Sequence, residues 1–459
     1  MHQIFFETIL SLDMSKTHTI RKGLNLPMVG APSAQVEDFP LGTSFALSPD
    51  EYIGIAPKLA VKEGDAVQAG DAIFYDKAEN RIRVTSPVSG KVKAIVRGEK
   101  RRLLQILIEA DAVIRYKNFG AGLPKDAEAA KATLLDSGAW NLLEMRPYGR
   151  VANPSDAPKA IFVNAMATAP FATSAALALA GREEAFAAGL KVLNLLAPKT
   201  VLSLDKEEKS DVLTQAQGVD LHRFEGKHPA GNTSVHIAAV SPLNKGEVVW
   251  AIQAQDVAIL GQLFLTGEYR LDRVVSVAGS GMKSPRHFTL RGGMNLTNFF
   301  KEEVKAGVYR CIAGSVLTGK AIDAEGYLSA SASQISVIPE GRGTDFMGWV
   351  LPGIGKYSIS RTFMSWLTPG KTYDLSTKLH GEERAFVVTG QYDGVFPFDI
   401  YPNQLLKSVW AKDLEKMEAL GIYEVVPEDF ALCEVICTSK QPLQQMVREA
   451  LDILHTEMN

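Results

Sequence analysis

Residues 61–95 read VKEGDAVQAGDAIFYDKAENRIRVTSPVSGKVKAI. Three turn pairs, Gly64-Asp65, Gly70-Asp71 and Ser89-Gly90, separate short runs carrying Ile73, Ile82, Val84, Val88, Val92 and Ile95. Each turn needs residues that tolerate positive φ or hydrogen-bond locally, and the β-branched runs between them suit a pleated, half-buried surface. The stretch therefore predicts a hairpin-rich β-sandwich, within a strand-rich region over residues 17–115.

That punctuation resembles biotinyl and lipoyl carrier domains. Asp76-Lys77-Ala78 matches the tripeptide that carries lipoate, which would make Lys77 a modified lysine and the chain a carrier protein. The interval from Lys77 to Ser86-Pro87 is longer than the motif allows, and Tyr75 precedes it. A surface lysine on a turn of a non-carrier sandwich is the weightier reading, because a shape persists without its chemistry.

Outward from this stretch, 459 residues suggest about three domains. The chain is 46% hydrophobic and 22% charged with a formal net charge of −3, enough for ordinary cores and without the basic excess of a nucleic-acid binder. Three cysteines, Cys311, Cys433 and Cys437, cannot build a disulfide framework and point to a reducing compartment. Residues 1–16 read as a disordered extension or an over-long start, and Glu7 interrupts the apolar run a secretory signal needs. The uncharged run 160–181 has the length of a membrane span, but its Ala, Thr and Ser content, with Asn164 and Pro170 inside it, reads as strand, loop and packed helix.

Residues 124–145 have helical spacing with Asp126 as N-cap, inside a helical connector over 116–150. From 151 to 257 the period alternates. Strands are predicted over 159–164, 200–205 and 220–226, with helices over 183–197 and 207–217 between them. Short connections between such elements argue a parallel, Rossmann-like sheet. Residues 258–325, with a strand at 272–280 and short pieces after it, fit a β-grasp-like module. Residues 326–459 read as a mixed, largely helical region with amphipathic segments at 404–421 and 443–458. The fold class is α/β, multidomain α+β.

The chemistry-bearing motifs are weak. Residues 314–321, GSVLTGKA, nearly spell a P-loop, but Ala321 stands where a hydroxyl should meet Mg²⁺, so a β-turn is the better reading. Gly279-Ser280-Gly281 follows a strand, yet no third glycine follows and Pro285 replaces the expected helix interior. Cys433 and Cys437 share a helix face, but with only Cys311 besides they read as buried apolar cysteines rather than cluster ligands. His222, His228 and His236 match no zinc spacing, so no metal site is predicted. The loop GKHPAG (226–231) follows the third strand of the α/β unit, where ligands of such sheets gather. Arg223, His228 and Gly231 are the candidate ligand-loop residues.

Five longer strings carry a second resemblance: RKGLNLPMVGAP (21–32), FEGKHPAG (224–231), QLFLTGEYRLDRVVSVAG (262–279), YRCIAGSVLTG (309–319) and ALCEVIC (431–437). As a set they are similar to the A subunit of the Na⁺-translocating NADH:quinone reductase. The resemblance implies biotinyl/lipoyl-like, Rossmann-like, β-grasp (SLBB) and helical C-terminal parts. It implies a peripheral subunit docked on the cytoplasmic face of a bacterial inner-membrane complex of six subunits, which uses NADH, flavins, iron–sulfur centres and ubiquinone and exports Na⁺. It also implies kinship with the flavin-bearing subunit of respiratory complex I and with the C subunit of the Rnf complex. Those relatives hold cofactors through glycine loops and CxxC runs, which this chain lacks. The reading that follows is a cofactor-free subunit serving quinone access or assembly, with a purely structural adaptor as the alternative.

Overall fold

The computed structural model describes residues 16–341, 347, 348 and 350–458. The predicted extension lies outside the described residues except for Lys16, which opens a strand. The molecule is multidomain, with mixed sheets and helices.

The turn-rich stretch folds as predicted into a sandwich of two antiparallel sheets. One carries Ser44–Leu47, Leu103–Ala110, Gly90–Arg97 and Ala66–Val67; the other carries Pro57–Leu59, Ala72–Asp76 and Arg83–Thr85. Gly64 and Gly70 have φ of +91° and +99°, a region that favours glycine, so the turns sit where the sequence puts them.

The α/β module is a seven-stranded sheet in the order Lys16–Ile20, Asp220–Gly226, Thr200–Asp205, Ile161–Asn164, Val249–Gln253, Glu144–Arg146, Arg150–Val151. The first five strands run parallel, Glu144–Arg146 runs antiparallel to them, and Arg150–Val151 runs antiparallel to Glu144–Arg146. Parallel strands need both faces covered, and the central ones, Thr200–Asp205, Ile161–Asn164 and Val249–Gln253, are buried along almost their whole length. The helices Glu183–Leu196 and Ala254–Thr266 pack against each other in the same core as Ile161, Val163, Leu202 and Trp250. Their close approach depends on glycine: a Cβ on Gly261 would lie 1.7 Å from Ala185 O, and one on Gly189 would lie 2.1 Å from Val257 O.

The third sheet has six strands, Lys320–Ile322, Tyr309–Ala313, Gln334–Pro339, Asp272–Ala278, Arg286–Arg291 and Val36–Asp38. Its apolar face joins that of the sandwich: Phe45, Val88 and Ile106 share one core with Val275, Phe288 and Phe299. A separate core gathers the C-terminal helices Pro402–Ala411, Ala431–Ile436 and Leu443–Met458 around Phe396, Phe430 and Leu451.

Several expected boundaries move. Lys16–Ile20 and Val36–Asp38 precede the sandwich in sequence but complete the other two sheets, because an exposed sheet edge accepts any strand of matching pattern. The 116–150 connector holds the helix Ala127–Ser137, capped by Asp126 as predicted, but it ends in the strand Glu144–Arg146. Of the helix predicted at 207–217 only Asp211–Thr214 forms, with Leu213 alone buried. The six-stranded sheet reaches past 325 to Pro339, and from 340 to 401 the described residues hold only short 3₁₀ turns, so helix dominates only from Pro402.

Candidate functional site: a cavity where three modules meet

In the α/β sheet, Ile161–Asn164 and Val249–Gln253 are adjacent although Thr200–Asp205 and Asp220–Gly226 intervene in sequence. This is the switch point beyond whose carboxyl ends doubly wound sheets bind ligands. Here the chain itself covers most of that crest. Asn164 Nδ2 donates to Gly231 O (2.8 Å) and Thr233 Oγ1 (3.0 Å), and its Oδ1 accepts from Met166 N (2.9 Å). The following loop is fastened to the six-stranded sheet: Gln334 Nε2 donates to Pro170 O (2.8 Å) and Ser276 Oγ to Phe171 O (2.6 Å). Beyond Gln253, Gln255 Oε1 accepts from Val274 N (3.0 Å), and Asp256 forms a buried ion pair with Arg273 (2.5 Å).

What remains is a cavity of about 340 Å³ between this crest, the sandwich and the six-stranded sheet. Leu142, Leu143, Ile252 and Leu271 give it apolar walls; Glu51, Tyr52, Arg150, Gln253 and Tyr269 give it polar ones. Burial pushes the Tyr52 and Tyr269 phenols well above the ordinary tyrosine range, so both stay protonated donors. Burial also raises Glu51, against the pull of its bonds from Ala330 N (2.8 Å) and Ser329 Oγ (3.0 Å). Apolar walls with neutral O–H donors suit an uncharged ring bearing carbonyl acceptors better than a pyrophosphate, which wants a fan of backbone N–H groups.

None of the three loop candidates lines this cavity. His228 is buried and neutral, its pKa lowered to about 4 by desolvation, and its Nδ1 lies 3.1 Å from Thr168 Oγ1. Gly231 N donates to the same hydroxyl (2.9 Å), so the structure brings these two together. Arg223 turns away from them: its Nη1 donates to Lys206 O (3.1 Å) and Glu208 O (3.1 Å). His222 and His236 do not converge with His228. His222 meets His18 (2.9 Å), and His236, lowered to about 3 by burial, contacts Ala230 O (2.9 Å). Among the described residues no group of three or more His, Cys, Asp or Glu could hold a metal ion.

Lys77 is exposed beside the turn after Ala72–Asp76. Residues 314–319 form the turn between Tyr309–Ala313 and Lys320–Ile322, where Ser315 Oγ accepts from Leu317 N (3.2 Å) and Thr318 N (3.3 Å). Gly279 is packed against Val337, which a Cβ would meet at 2.2 Å. Sequence reasoning missed Glu51, Tyr52, Arg150, Gln253 and Tyr269. The available signal was Asp256, a lone carboxylate in the otherwise uncharged helix Ala254–Thr266.

A barrel-sandwich, a doubly wound α/β unit and a third mixed sheet, in that order and sharing a buried junction, define a three-module architecture. Family models match each part: the NqrA N-terminal barrel-sandwich hybrid domain over 18–111, the NqrA second alpha/beta domain over 125–269 and the NQRA C-terminal domain, of SLBB type, over 274–324. The A subunit of the Na(+)-translocating NADH-quinone reductase of Vibrio vulnificus (strain YJ016) is 39% identical over 446 residues, 96% of this chain and 99% of that protein. Its counterpart from Pasteurella multocida (strain Pm70) is 39% identical over 444 residues, with the same coverage. Among solved structures, an NAD⁺-reducing [NiFe]-hydrogenase aligns with 66% of this chain and 55% of its own at 13% identity and a TM-score of 0.33. The chain belongs to the NqrA family, the A subunits of the Na⁺-translocating NADH-quinone reductase, and so is one component of a membrane-associated translocase with other subunits as partners. Among the described residues no helix is long and apolar enough to cross a membrane.

Proposed function

We propose that this subunit binds neither flavin, iron–sulfur centre nor NADH, and that it gives ubiquinone a foothold in the junction cavity while partner subunits carry NADH oxidation and Na⁺ export. The observation that carries the reading is the covered crest. The place where a doubly wound sheet would receive a nucleotide is occupied by loop 165–174 and the six-stranded sheet. The space left over has apolar walls and protonated hydroxyls. A quinone ring fits that chemistry, since its two carbonyls accept hydrogen bonds and its ring is apolar. In this reading the chain sits peripherally on the cytoplasmic face, held by the membrane and peripheral subunits of the reductase. A ligand at Arg223, His228 and Gly231 is the second reading, and it requires Thr168 to release His228.

The test fills the cavity in the assembled complex. Ser331, exposed at its wall, becomes Ser331→Trp, and buried Ala251 becomes Ala251→Leu. The expected outcome is a raised quinone KM or lost quinone reduction, with NADH oxidation by an artificial acceptor retained. Unchanged quinone kinetics in both variants would defeat the cavity reading. A flavin or iron signal in the purified chain would defeat the cofactor-free one.

A further inference from the structure

Buried polar groups are almost always hydrogen-bonded, so those left open at a cavity wall mark what the cavity takes. Tyr269 is 6% exposed and lines the junction cavity. It follows closely on Gly267, which ends the helix Ala254–Thr266 in the left-handed region at φ +74°. Tyr52 enters from the sandwich, its ring T-shaped to that of Phe74 with centroids 5.9 Å apart. Neither hydroxyl has a hydrogen-bond partner among the described residues. Glu51 is divided. Its Oε2 accepts from Ala330 N (2.8 Å) and Ser329 Oγ (3.0 Å), whereas its Oε1 has no partner among the described residues. Ala330 O in turn accepts from Arg273 Nε (3.0 Å), so residue 330 holds Glu51 against the buried Arg273–Asp256 pair.

Glu51 and Tyr269 lie close enough to act electrostatically on the Tyr52 phenol, so the three groups form one polar end of the cavity. Their hydrogen-bonding roles differ. The two phenols, held protonated by burial, donate. A carboxylate only accepts, and the bonds from Ala330 and Ser329 hold Glu51 toward that form against the effect of its burial. The oxygens of a quinone only accept. The quinol that the reductase makes from it, with two electrons from NADH and two protons, carries hydroxyls that donate as well. The phenols therefore match either state of the ring, and Glu51 Oε1 matches the reduced state alone.

We infer that Glu51 is the residue by which the cavity favours quinol over quinone: Tyr52 and Tyr269 donate to one ring oxygen in both states, and Glu51 Oε1 accepts from the hydroxyl that this oxygen becomes. The inference rests on the quinone reading of the cavity. Glu51→Gln tests it with almost no change of shape. Ala330 N–H requires an acceptor, so the amide oxygen takes the place of Oε2 and the amide NH₂ faces the cavity, a donor where an acceptor stood. The assembled complex is assayed with NADH and a short-chain ubiquinone, for the quinone KM and for the product-inhibition constant of the quinol. Glu51→Gln should raise the quinol constant relative to the quinone KM by about ten-fold, since a hydroxyl facing a donor loses its hydrogen bond. Tyr269→Phe should raise both constants, since it removes a donor that serves both states. A Glu51→Gln complex whose two constants move together, or not at all, overturns the inference, as does a Tyr269→Phe complex in which neither moves. Ala251→Leu separates the two levels. If it impairs quinone reduction while Glu51→Gln leaves the ratio unshifted, the cavity reading stands and the inference falls. If it leaves quinone kinetics unchanged, the cavity reading fails and takes the inference with it.

Discussion

Asn232 donates from Nδ2 to Asp429 Oδ1 across 3.0 Å, tying the N-cap of the Thr233–Val240 helix to the 3₁₀ turn Pro427–Phe430, which leads into the helix Ala431–Ile436. Asp429 Oδ2 also accepts from Val426 N (2.9 Å). Beside it the Arg146 guanidinium donates to Ser234 Oγ (3.1 Å) and Glu428 Oε1 (3.3 Å), so the contact between the two modules is polar and buried.

Asp429 is pushed up to about 7, chiefly by burial and then by the Glu428 charge, against the pull of Arg146. An unfolded aspartate titrates near about 3.9. Between roughly pH 4 and pH 7 the folded chain holds the extra proton, so stability is greatest below that window and falls as pH rises through it. The variant Asp429→Asn should therefore show a flatter Tm between pH 5 and pH 8 than the unaltered chain, whatever its absolute stability. Parallel Tm–pH curves would show that another group carries the proton.

Arg273 is 1% exposed, faces Asp256, and its Nε donates to Ala330 O (3.0 Å). Cutting a buried pair on one side costs about 3–5 kcal/mol, because the remaining charge has no water. Arg273→Met should lower the urea midpoint accordingly, and adding Asp256→Leu should return part of the loss. A single variant as stable as the parent would mean that Asp256 is already neutral.

The crossing of Glu183–Leu196 with Ala254–Thr266 sets two effects against each other. Alanine is favoured over glycine inside a helix by roughly 1 kcal/mol. At Gly261 the added carbon meets backbone, and overpacking of a fitted contact costs about 1–3 kcal/mol or more. Gly261→Ala should destabilise, whereas Gly355→Ala, with nothing within 4 Å of the added carbon, should be close to neutral. Denaturation midpoints of the two variants decide it.

Burial raises the Cys311 thiol to about 11 and moves Cys433 upward as well, while Tyr392 Oη donates to Cys437 Sγ (2.9 Å). The thiolate is the reactive species, so a thiol reagent at about pH 7.5 should label the native chain slowly and all three positions quickly after unfolding. Rapid stoichiometric labelling of the folded protein would contradict the packing described for these residues.

Local pattern was legible wherever local pattern decided the structure. Thr200–Asp205 and Asp220–Gly226 fall where the apolar runs end in Asp or Gly, and the sandwich turns sit at their glycines. The segment 207–217 failed because one buried leucine cannot offset the entropy of a longer helix. Pairing between distant segments was not legible: nothing in the sequence of Val36–Asp38 names Arg286–Arg291 as its partner. The junction cavity was missed for the same reason. Its walls come from several separated stretches, and Tyr52 meets Arg150 and Tyr269 only after the sandwich has docked on the α/β module.

The strand Lys16–Ile20 hydrogen-bonds to Asp220–Gly226, some two hundred residues downstream. On the ribosome the earlier strand emerges long before its mate exists, so it must wait through synthesis of the whole sandwich. Contacts of such high sequence separation form late and slow the search. The outer edge of the parallel sheet therefore cannot close until the chain has been made through residue 226. A nascent chain halted before residue 226 would leave that first strand unmated and open to chaperones or to aggregation.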